Sequence, residues 1–367
     1  MAGCVDDMPG EGGALSPQPV QLIDPTGAPT ADERFSRDLP PETLCWLFEM
    51  MAVTRDLDTE FVNLQRQGEL ALYASCRGQE AAQIGAVACL RKTDWLFPQY
   101  REIGAFLLRG ITPGQMGAVW RGSWHGGRGF TARCCAPVSI PIGTQTLHAV
   151  GAAMAAQRLG EDSVTVAFIG DGATSEGDVH ESLNLAAVFA TPCVFYVQNN
   201  HWAISVPVSR QVAGPSIAHR AAAYGMPGIR VDGNDVLACY AVMADAARRA
   251  RAGGGPTLIE AITYRMGPHT TSDDPTRYRP QSELDAWAAR DPIARYRSYL
   301  QRLGLWSDRL EQRVAAHGAR LRAELREVMI RGPEPDVLEM FDTVFAEITP
   351  DLAAQREQLS AELAREC

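Results

Sequence analysis

The chain has 367 residues, 46% of them hydrophobic, so it can bury a large core, and its length suits one big α/β domain with additions. Its formal net charge of −10 and its lack of a basic stripe argue against a nucleic-acid surface. Because no apolar run approaches the roughly 18 residues of a membrane span, and no export signal is recognisable, we expect a cytoplasmic protein that contacts no membrane.

The chain is expected to divide into three parts. Residues 1–35 are rich in proline, glycine and acidic residues and have little periodicity, which is typical of a flexible arm or of a strap over a partner. Residues 36–330 form the α/β domain, which begins with a helix near Pro41 because proline fits the first helical turn. Residues 331–367 are predicted to form a helical tail.

The first polar cluster of interest is Gln99-Tyr100-Arg101, which follows Pro98. Proline fixes an extended conformation at the start of this segment. A tyrosine hydroxyl and the fork of an arginine can hold terminal phosphate oxygens. The alternative is a surface arginine next to a core tyrosine.

A short apolar run, residues 164–169, predicts a buried parallel strand, and Gly170-Asp171-Gly172 follows it directly. Without Cβ atoms, the two glycines let the backbone turn sharply and approach a bulky anion, while Asp171 offers a carboxylate to a hard cation. A lone Gly-Asp-Gly is more often an ordinary turn. A dinucleotide-binding loop would need a third glycine where Ser175 stands.

A second buried-strand pattern, residues 192–197, brings Asn200 and Trp202 to the carboxyl end of its strand, the edge where open α/β sheets bind ligands. The intervening residues 173–198 suit a loop, one helix and this strand, which make a β-α-β crossover. The Asn200 amide oxygen and the Trp202 carbonyl can join Asp171 around Mg²⁺, with diphosphate oxygens and water completing the shell. Together, the two motifs therefore predict a metal-diphosphate site.

A second β-α unit follows, with Asn234 or Asp235 as the N-cap of its helix and Gly253-Gly-Gly as its end. The predicted segments are a strand at 229–231, a helix from the cap to Arg251, a strand at 257–263, and helices within 282–326 and 349–366.

These motifs resemble those of thiamine-diphosphate-dependent enzymes, and more narrowly the alpha subunit of the decarboxylating first component of 2-oxo acid dehydrogenase complexes. The resemblance extends over about residues 35–350. Its supporting segments are residues 68–70, 78–80, 97–101, 141–145, 231–235 and 264–274. It implies the thiamine-diphosphate-binding α/β fold, with a mostly parallel sheet flanked by helices, an N-terminal arm and a C-terminal helical extension.

The resemblance also implies which residues surround the cofactor. They are Gln99, Tyr100, Arg101, Ile140, Pro141, Ile142, Gly170, Asp171, Gly172, Ala173, Gln198, Asn200, Trp202 and His269, with Asp171, Asn200 and Trp202 binding Mg²⁺. In related chains, the stretch Ile140–Ile142 contacts the aminopyrimidine side of the cofactor. The oxygens of Ser139, Pro141, Thr144 and Gln145 are candidates for a monovalent cation such as K⁺.

The predicted catalytic residue is His269, which lies in a polar loop after the strand at 257–263. In the family, the matching histidine faces the cofactor and is proposed to assist decarboxylation and acyl transfer. The alternative is a structural loop histidine. Thr270 stands where animal relatives have a regulatory phosphoserine, which does not show that a kinase acts here.

By resemblance, the reaction is the thiamine-diphosphate-dependent oxidative decarboxylation of a 2-oxo acid, with acyl transfer to the lipoyl group of an acyltransferase core. Thiamine enzymes also need a carboxylate at N1′ of the pyrimidine, and this chain holds only the diphosphate half. The expected partner is therefore a beta subunit in an α₂β₂ assembly. Residues 97–101 resemble branched-chain types, which we favour. Parts of residues 267–278 also resemble pyruvate enzymes of Gram-positive bacteria, so pyruvate is the alternative substrate.

Two hypotheses from other classes remain open at this stage. The chain could be an inactive regulatory subunit that binds the diphosphate without turnover. It could also be a Mg²⁺-nucleotide-binding module, although it has no Walker-type G-x-x-x-x-G-K-[ST] run.

Overall fold

The computed structural model describes residues 18–123, 126–332, 336–342 and 344–366. This part of the chain contains seven strands. They are β1 (Trp95–Phe97), β2 (Thr165–Gly170), β3 (Cys193–Asn199), β4 (Trp202–Ala203), β5 (Val206–Pro207), β6 (Gly228–Asp232) and β7 (Thr257–Ile262). Five of them form a parallel sheet in the order β1-β2-β3-β7-β6, and β4 and β5 pair as a small antiparallel ribbon. The predicted α/β fold with a parallel sheet is confirmed.

Helices cover both faces of the sheet. They are α1 (Pro41–Arg66), α2 (Glu80–Ala88), α3 (Ile103–Leu108), α4 (Pro113–Trp120), α5 (Thr144–Leu159), α6 (Gly177–Val188), α7 (Val236–Arg249), α8 (Gln281–Ala288), α9 (Pro292–Arg302), α10 (Asp308–Arg331) and α11 (Pro350–Glu366). As predicted, α1 begins with a proline in its first turn.

The core is divided by the sheet, because successive residues of a strand point to opposite faces. Val166 and Phe168 of β2 pack with residues of α1, α2 and α7 on one side. Ala167 and Ile169 pack with residues of α5 and α6 on the other. Burial on both faces explains why β2 is apolar throughout instead of alternating.

The strands β2 and β3 end later than the sequence predicts. Their parallel register pairs Ile169 with Val197 and Gly170 with Gln198, so the ladder continues past the apolar residues. The polar residues Gln198 and Asn199 therefore belong to β3. A 3₁₀ turn, Gly172–Ser175, separates β2 from α6, whereas the sequence predicts one helix from about residue 175.

The second β-α unit has the predicted cap. The Asp235 carboxylate accepts hydrogen bonds from the backbone N–H groups of Leu237 and Ala238 at the start of α7. The helix ends at Arg249, and a π-helical turn, Ala250–Gly254, follows it.

The N-terminal segment differs from the expected mobile arm or partner strap from residue 18 onward. Val20 pairs in parallel with Val231 of β6, and Leu22 and Ile23 are fully buried. The Asp235 carboxylate also accepts from the N–H groups of Leu22 and Ile23, at 2.6 and 2.8 Å. These residues are therefore fixed on the chain's own sheet. The rest of the predicted arm, residues 1–17, lies outside the described residues.

The predicted C-terminal tail begins where α10 ends. It contains a 3₁₀ turn, Val337–Phe341, and α11, and residues 333–335, 343 and 367 lie outside the described part. The boundaries of the three predicted parts stay predictions. No helix in the described residues combines the length and apolar character needed to cross a bilayer.

Residues 20–23 pack against the chain's own sheet, so Ile23→Ala should cause a large loss of stability. Because Ile23 is fully buried, the free energy of unfolding should fall by about 2–5 kcal/mol. Urea unfolding followed by circular dichroism measures it. The matched control is Ile330→Ala, at a residue that is 46% exposed. Equal effects of the two substitutions would argue against the packing of residues 20–23 on the sheet.

Candidate active site

A cavity of about 300 Å³ lies at the carboxyl ends of the central strands. Its lining includes all the predicted site residues except Pro141 and Gln198. The lining residues are Leu72, Ala74, Gln99, Tyr100, Arg101, Trp120, Ile140, Ile142, Gly170, Asp171, Gly172, Ala173, Asn200, Trp202, Ala203, Ile204, His269 and Thr270. Residues distant in sequence thus meet at one edge of the sheet.

Asp171 is the only carboxylate among the lining residues that the structure describes. Its side chain is almost fully buried, and burial raises the pKa of Asp171 to about 6. The Gln211 amide donates to it at 3.3 Å, and the Asn200 backbone N–H also stabilises its charged form. Asp171 and Asn200 therefore converge, but no cationic side chain pairs with this carboxylate in the described part of the chain.

The side-chain amide of Asn200 is oriented by its neighbours. Its nitrogen donates to the Gln79 side-chain oxygen at 3.2 Å. Its oxygen accepts from the backbone N–H of Trp202 at 3.3 Å. These contacts orient the amide, and its oxygen keeps a second lone pair that can bind a metal ion.

The two glycines of the Asp171 turn have different surroundings. A Cβ atom on Gly172 would lie 2.6 Å from the Cβ of Ala203, so β4 can approach only a glycine here. A Cβ on Gly170 would meet nothing closer than 3.7 Å. Neither glycine has a left-handed φ, so the turn does not depend on the backbone freedom of glycine. Asp171 has helical dihedrals, and the chain passes directly from β2 into the 3₁₀ turn.

His269 is held by Arg101, which comes from the segment after β1. Arg101 Nη2 donates to the His269 carbonyl oxygen at 3.0 Å and lies 3.3 Å from Nδ1 of the ring. Arg101 Nη1 donates to the Ser75 carbonyl at 2.6 Å. Tyr100 packs edge-on against the imidazole, with ring centroids 6.2 Å apart. Arg101, predicted to hold phosphate, is thus also engaged in positioning the histidine loop.

A second guanidinium fixes the tautomer of His269. Arg265 Nη1 lies 3.5 Å from the same Nδ1. Because guanidinium groups only donate, Nδ1 must be the acceptor, and the proton of the neutral ring is on Nε2. Burial, followed by the charges of Arg101 and Arg265, lowers the pKa of His269 to about 4. The ring is therefore neutral at pH 7.

Sequence reasoning missed Arg265, which is fully buried. It donates to the carbonyl oxygens of Trp202 and Ile204, at 3.1 and 2.7 Å, and to the Tyr278 hydroxyl at 2.8 Å. The Trp202 oxygen, predicted to bind a metal, thus already accepts from a cation. The negative charge of Asp273 partly offsets this positive charge, and its carboxylate accepts from the Tyr278 hydroxyl and from the backbone N–H of His269.

Gln198 lies behind the cavity, not in its lining. It is fully buried in β3, where its amide nitrogen donates to Glu102 at 2.7 Å and its oxygen accepts from Gln83 at 3.1 Å. Glu102 also accepts from Gln99 at 3.1 Å. Gln198 therefore supports Gln99 indirectly and is not placed to contact a ligand.

Sequence reasoning missed five apolar residues that line the cavity. They are Leu72, Ala74, Trp120, Ala203 and Ile204. Leu72 and Ala74 come from the irregular segment before α2, and Trp120 is the last residue of α4. No local pattern in the sequence marks them, because their shared position is created only by packing. They add an apolar wall to the cavity.

The described residues contain no cluster of three or more His, Cys, Asp or Glu side chains that could bind a metal ion. A divalent cation beside Asp171 would therefore need ligands from other oxygens, such as the Asn200 amide, a backbone carbonyl and a bound anion.

Comparison with known proteins gives concordant matches. Residues 48–329 match the family described as "Dehydrogenase E1 component". The chain is 75% identical over 348 residues, 95% of each protein, to "3-methyl-2-oxobutanoate dehydrogenase subunit alpha" of Mycobacterium tuberculosis. It is 41% identical over 332 residues to "Pyruvate dehydrogenase E1 component subunit alpha" of Acholeplasma laidlawii, covering 89% of this chain and 95% of that one. The Staphylococcus aureus protein of that name is 38% identical over 340 residues, with 92% and 91% covered.

The electrostatics of His269 can be tested with two substitutions of opposite effect. Arg101→Met should raise the pKa of His269 above about 4, because it removes a positive charge that opposes protonation. Asp273→Asn should lower it, because this carboxylate favours the protonated ring. NMR titration of the imidazole measures both shifts. Arg326→Met, on α10, is the distant control, and an unmoved pKa in both site variants would contradict the assignment.

Proposed function

The chain belongs to the dehydrogenase E1 component family, and on this premise we propose that it is the alpha subunit of a 3-methyl-2-oxobutanoate dehydrogenase. The resemblance predicted from its motifs is confirmed. Its reaction is the oxidative decarboxylation of branched-chain 2-oxo acids, with acyl transfer to a lipoyl group. The observation that carries this proposal is the convergence of Asp171, Asn200 and His269 on one cavity.

The family implies thiamine diphosphate as the cofactor, and the cavity suits its diphosphate end. Asp171 is a buried carboxylate that forms no ion pair among the described residues, and burial raises its pKa. A Mg²⁺ ion would supply a positive charge, with Asp171, Asn200 and the Trp202 carbonyl as the protein ligands. A Cβ on Gly170 would make only ordinary contact with Gln99. Tyr100 and Arg101, which line the same cavity, are the proposed partners of terminal phosphate oxygens.

A monovalent cation such as K⁺ is proposed at the start of α5. Gln145 is almost fully buried, and its amide nitrogen donates to the Phe168 carbonyl at 2.8 Å. Its amide oxygen has no hydrogen-bond partner within the described part of the chain. A buried oxygen of this kind needs a donor or a cation, and Ser139, Pro141 and Thr144 supply further oxygens in the same stretch.

Bound thiamine diphosphate supplies the carbon nucleophile that adds to the oxo group and the electron sink for loss of carbon dioxide. The chain's own residues supply orientation and charge. The neutral ring of His269 can donate from Nε2 to an anionic oxygen of the substrate. Arg101 and Arg265 stabilise negative charge on that side of the cavity and keep Nδ1 unprotonated.

The apolar wall supports a branched aliphatic substrate over pyruvate. Leu72, Ala74, Trp120, Ile140 and Ile142 offer apolar surface to the ligand. Burial of apolar surface contributes about 25 cal/mol per Å², so an isopropyl group gains more here than a methyl group. The most similar relative reported above is also named for the branched substrate.

A partner chain must complete the site in this proposal. Asp171, the only lining carboxylate in the described residues, faces the diphosphate end, so a carboxylate for the pyrimidine ring must come from elsewhere. Ile140 and Ile204, both more than half exposed, form an apolar rim at the cavity. This rim suits coverage by another protein surface. We propose a beta subunit in an α₂β₂ assembly, which in turn serves a lipoyl acyltransferase core.

Reconstitution with the cognate beta subunit tests the function and the substrate together. Decarboxylation should be detectable only when both chains are present, and kcat/KM should be at least about tenfold higher for 3-methyl-2-oxobutanoate than for pyruvate, a difference of about 1.4 kcal/mol. Full activity of the isolated chain would refute the need for a partner. A preference for pyruvate would overturn the substrate assignment.

Asp171→Asn should weaken binding of thiamine diphosphate with Mg²⁺ at least about 100-fold, because it removes the one charged protein ligand of the metal. Calorimetric titration of the reconstituted assembly measures this without turnover. Glu176→Gln removes an exposed carboxylate outside the lining and is the matched control.

The monovalent-cation site is tested by repeating the thiamine diphosphate titration of the unmodified assembly with choline in place of K⁺. Weaker cofactor binding in choline is expected. Tight binding by Asp171→Asn would refute the Mg²⁺ assignment, and equal affinities in the two salts would refute the K⁺ assignment.

A further inference from the structure

Glu102 is a fully buried carboxylate behind the cavity wall. It forms no ion pair in the described part of the chain, and three donors point at it instead. They are the side-chain nitrogens of Gln99 and Gln198, at 3.1 and 2.7 Å, and the backbone N–H of Arg101 at 3.1 Å. A buried charge with this arrangement is costly unless all its hydrogen bonds are made, so its position calls for an explanation.

The hydrogen bonds around Glu102 run in one direction. At one end, the Gly104 backbone N–H, which can only donate, bonds to the Gln83 amide oxygen at 3.0 Å. The Gln83 nitrogen donates to the Gln198 oxygen at 3.1 Å, and the Gln198 nitrogen donates to Glu102. At the other end, burial raises the pKa of Glu102 to about 7, and the ionised form of this carboxylate can only accept. The two ends therefore fix the orientation of both amides.

The same carboxylate fixes Gln99, which lines the cavity. Its amide nitrogen is directed at Glu102, away from the ligand space. Its amide oxygen accepts no hydrogen bond from the described residues, and both atoms of the amide group lie near Gly170. Gln99 thus offers an acceptor, and not a donor, to whatever binds in the cavity. If its amide were reversed, its nitrogen would face the ligand and its oxygen would face a carboxylate.

We propose that Glu102 is a positioning residue that acts through Gln99 and so sets the direction in which a 2-oxo acid binds. The Gln99 oxygen and the charge behind it disfavour an anionic oxygen on their side of the cavity. His269, Arg101 and Arg265 favour the anion on the other side. The substrate carboxylate is thereby directed toward His269, and only one of two reversed poses is populated.

This inference rests on the proposed function, and a double-mutant cycle on the reconstituted assembly tests it. Glu102→Gln keeps the volume of the side chain but no longer requires a donor from Gln99. It should lower kcat about tenfold without raising KM for 3-methyl-2-oxobutanoate, because a reversed amide attracts the carboxylate into an unproductive pose. Gln99→Met should cause a similar loss.

The combination of the two changes identifies the route of the effect. If Glu102 acts through Gln99, adding Glu102→Gln to Gln99→Met should change kcat less than twofold. Effects that multiply, or a KM that rises with unchanged kcat, would overturn the proposal. Glu60→Gln is the control for loss of a largely buried carboxylate, because Glu60 is bonded to Arg326 and does not line the cavity.

Two measurements keep the outcomes distinct. Thermal unfolding shows whether each variant is folded, and calorimetric titration shows whether it binds thiamine diphosphate. If Glu102→Gln fails either measurement, Glu102→Asp replaces it. Because aspartate keeps the carboxylate acceptor, this variant should recover part of kcat. Failure of Glu102→Asp to recover any activity while folded and loaded would also count against the proposal. An inactive wild-type assembly would instead refute the proposed function.

Discussion

The parallel pairing of β2 with β3 is the constraint on which the site depends. The register that pairs Gly170 with Gln198 brings the first residue after β2, Asp171, next to the first residue after β3, Asn200. A shift of one residue would turn every side chain of the strand to the opposite face. Because both faces of these strands are buried against helices, such a shift would expose apolar surface and bury polar groups. The packing of the core therefore sets the distance between the two residues proposed to hold the metal.

The cavity at this edge of the sheet carries negative charge in one part and positive charge in another. Asp171 provides negative charge where β2 ends, and Arg101 and Arg265 provide positive charge around His269. The two arginines are largely or fully buried, so water screens them little and their effect on the ring is strong. Together with burial, they lower the pKa of His269 and leave its proton on Nε2. A histidine in this state is a neutral donor, and the positive charge on its side of the cavity comes from the two arginines.

Much of the site follows from local patterns, because the glycines and the asparagine come directly after apolar strands whose ends must meet at one edge. The lengths of the strands were less predictable, since Gln198 and Asn199 continue β3 by pairing with neighbours that the sequence does not identify. The N-terminal segment was also not predictable from its local sequence. Its composition indicates mobility, yet residues 20–23 are fixed because a distant carboxylate, Asp235, accepts two of their N–H groups.

The sequence by itself determined the family, the parallel α/β fold and most of the cavity lining, because those depend on motifs and on apolar runs that each lie within a short segment. Only the tertiary structure decided how the groups act. The tautomer of His269 depends on two arginines that are 4 and 168 residues away along the chain. The orientation of Gln99 depends on Glu102, and that of Gln198 depends on Gln83. Hydrogen-bond direction is a property of atoms in contact, and contacts between distant segments exist only after the chain has folded.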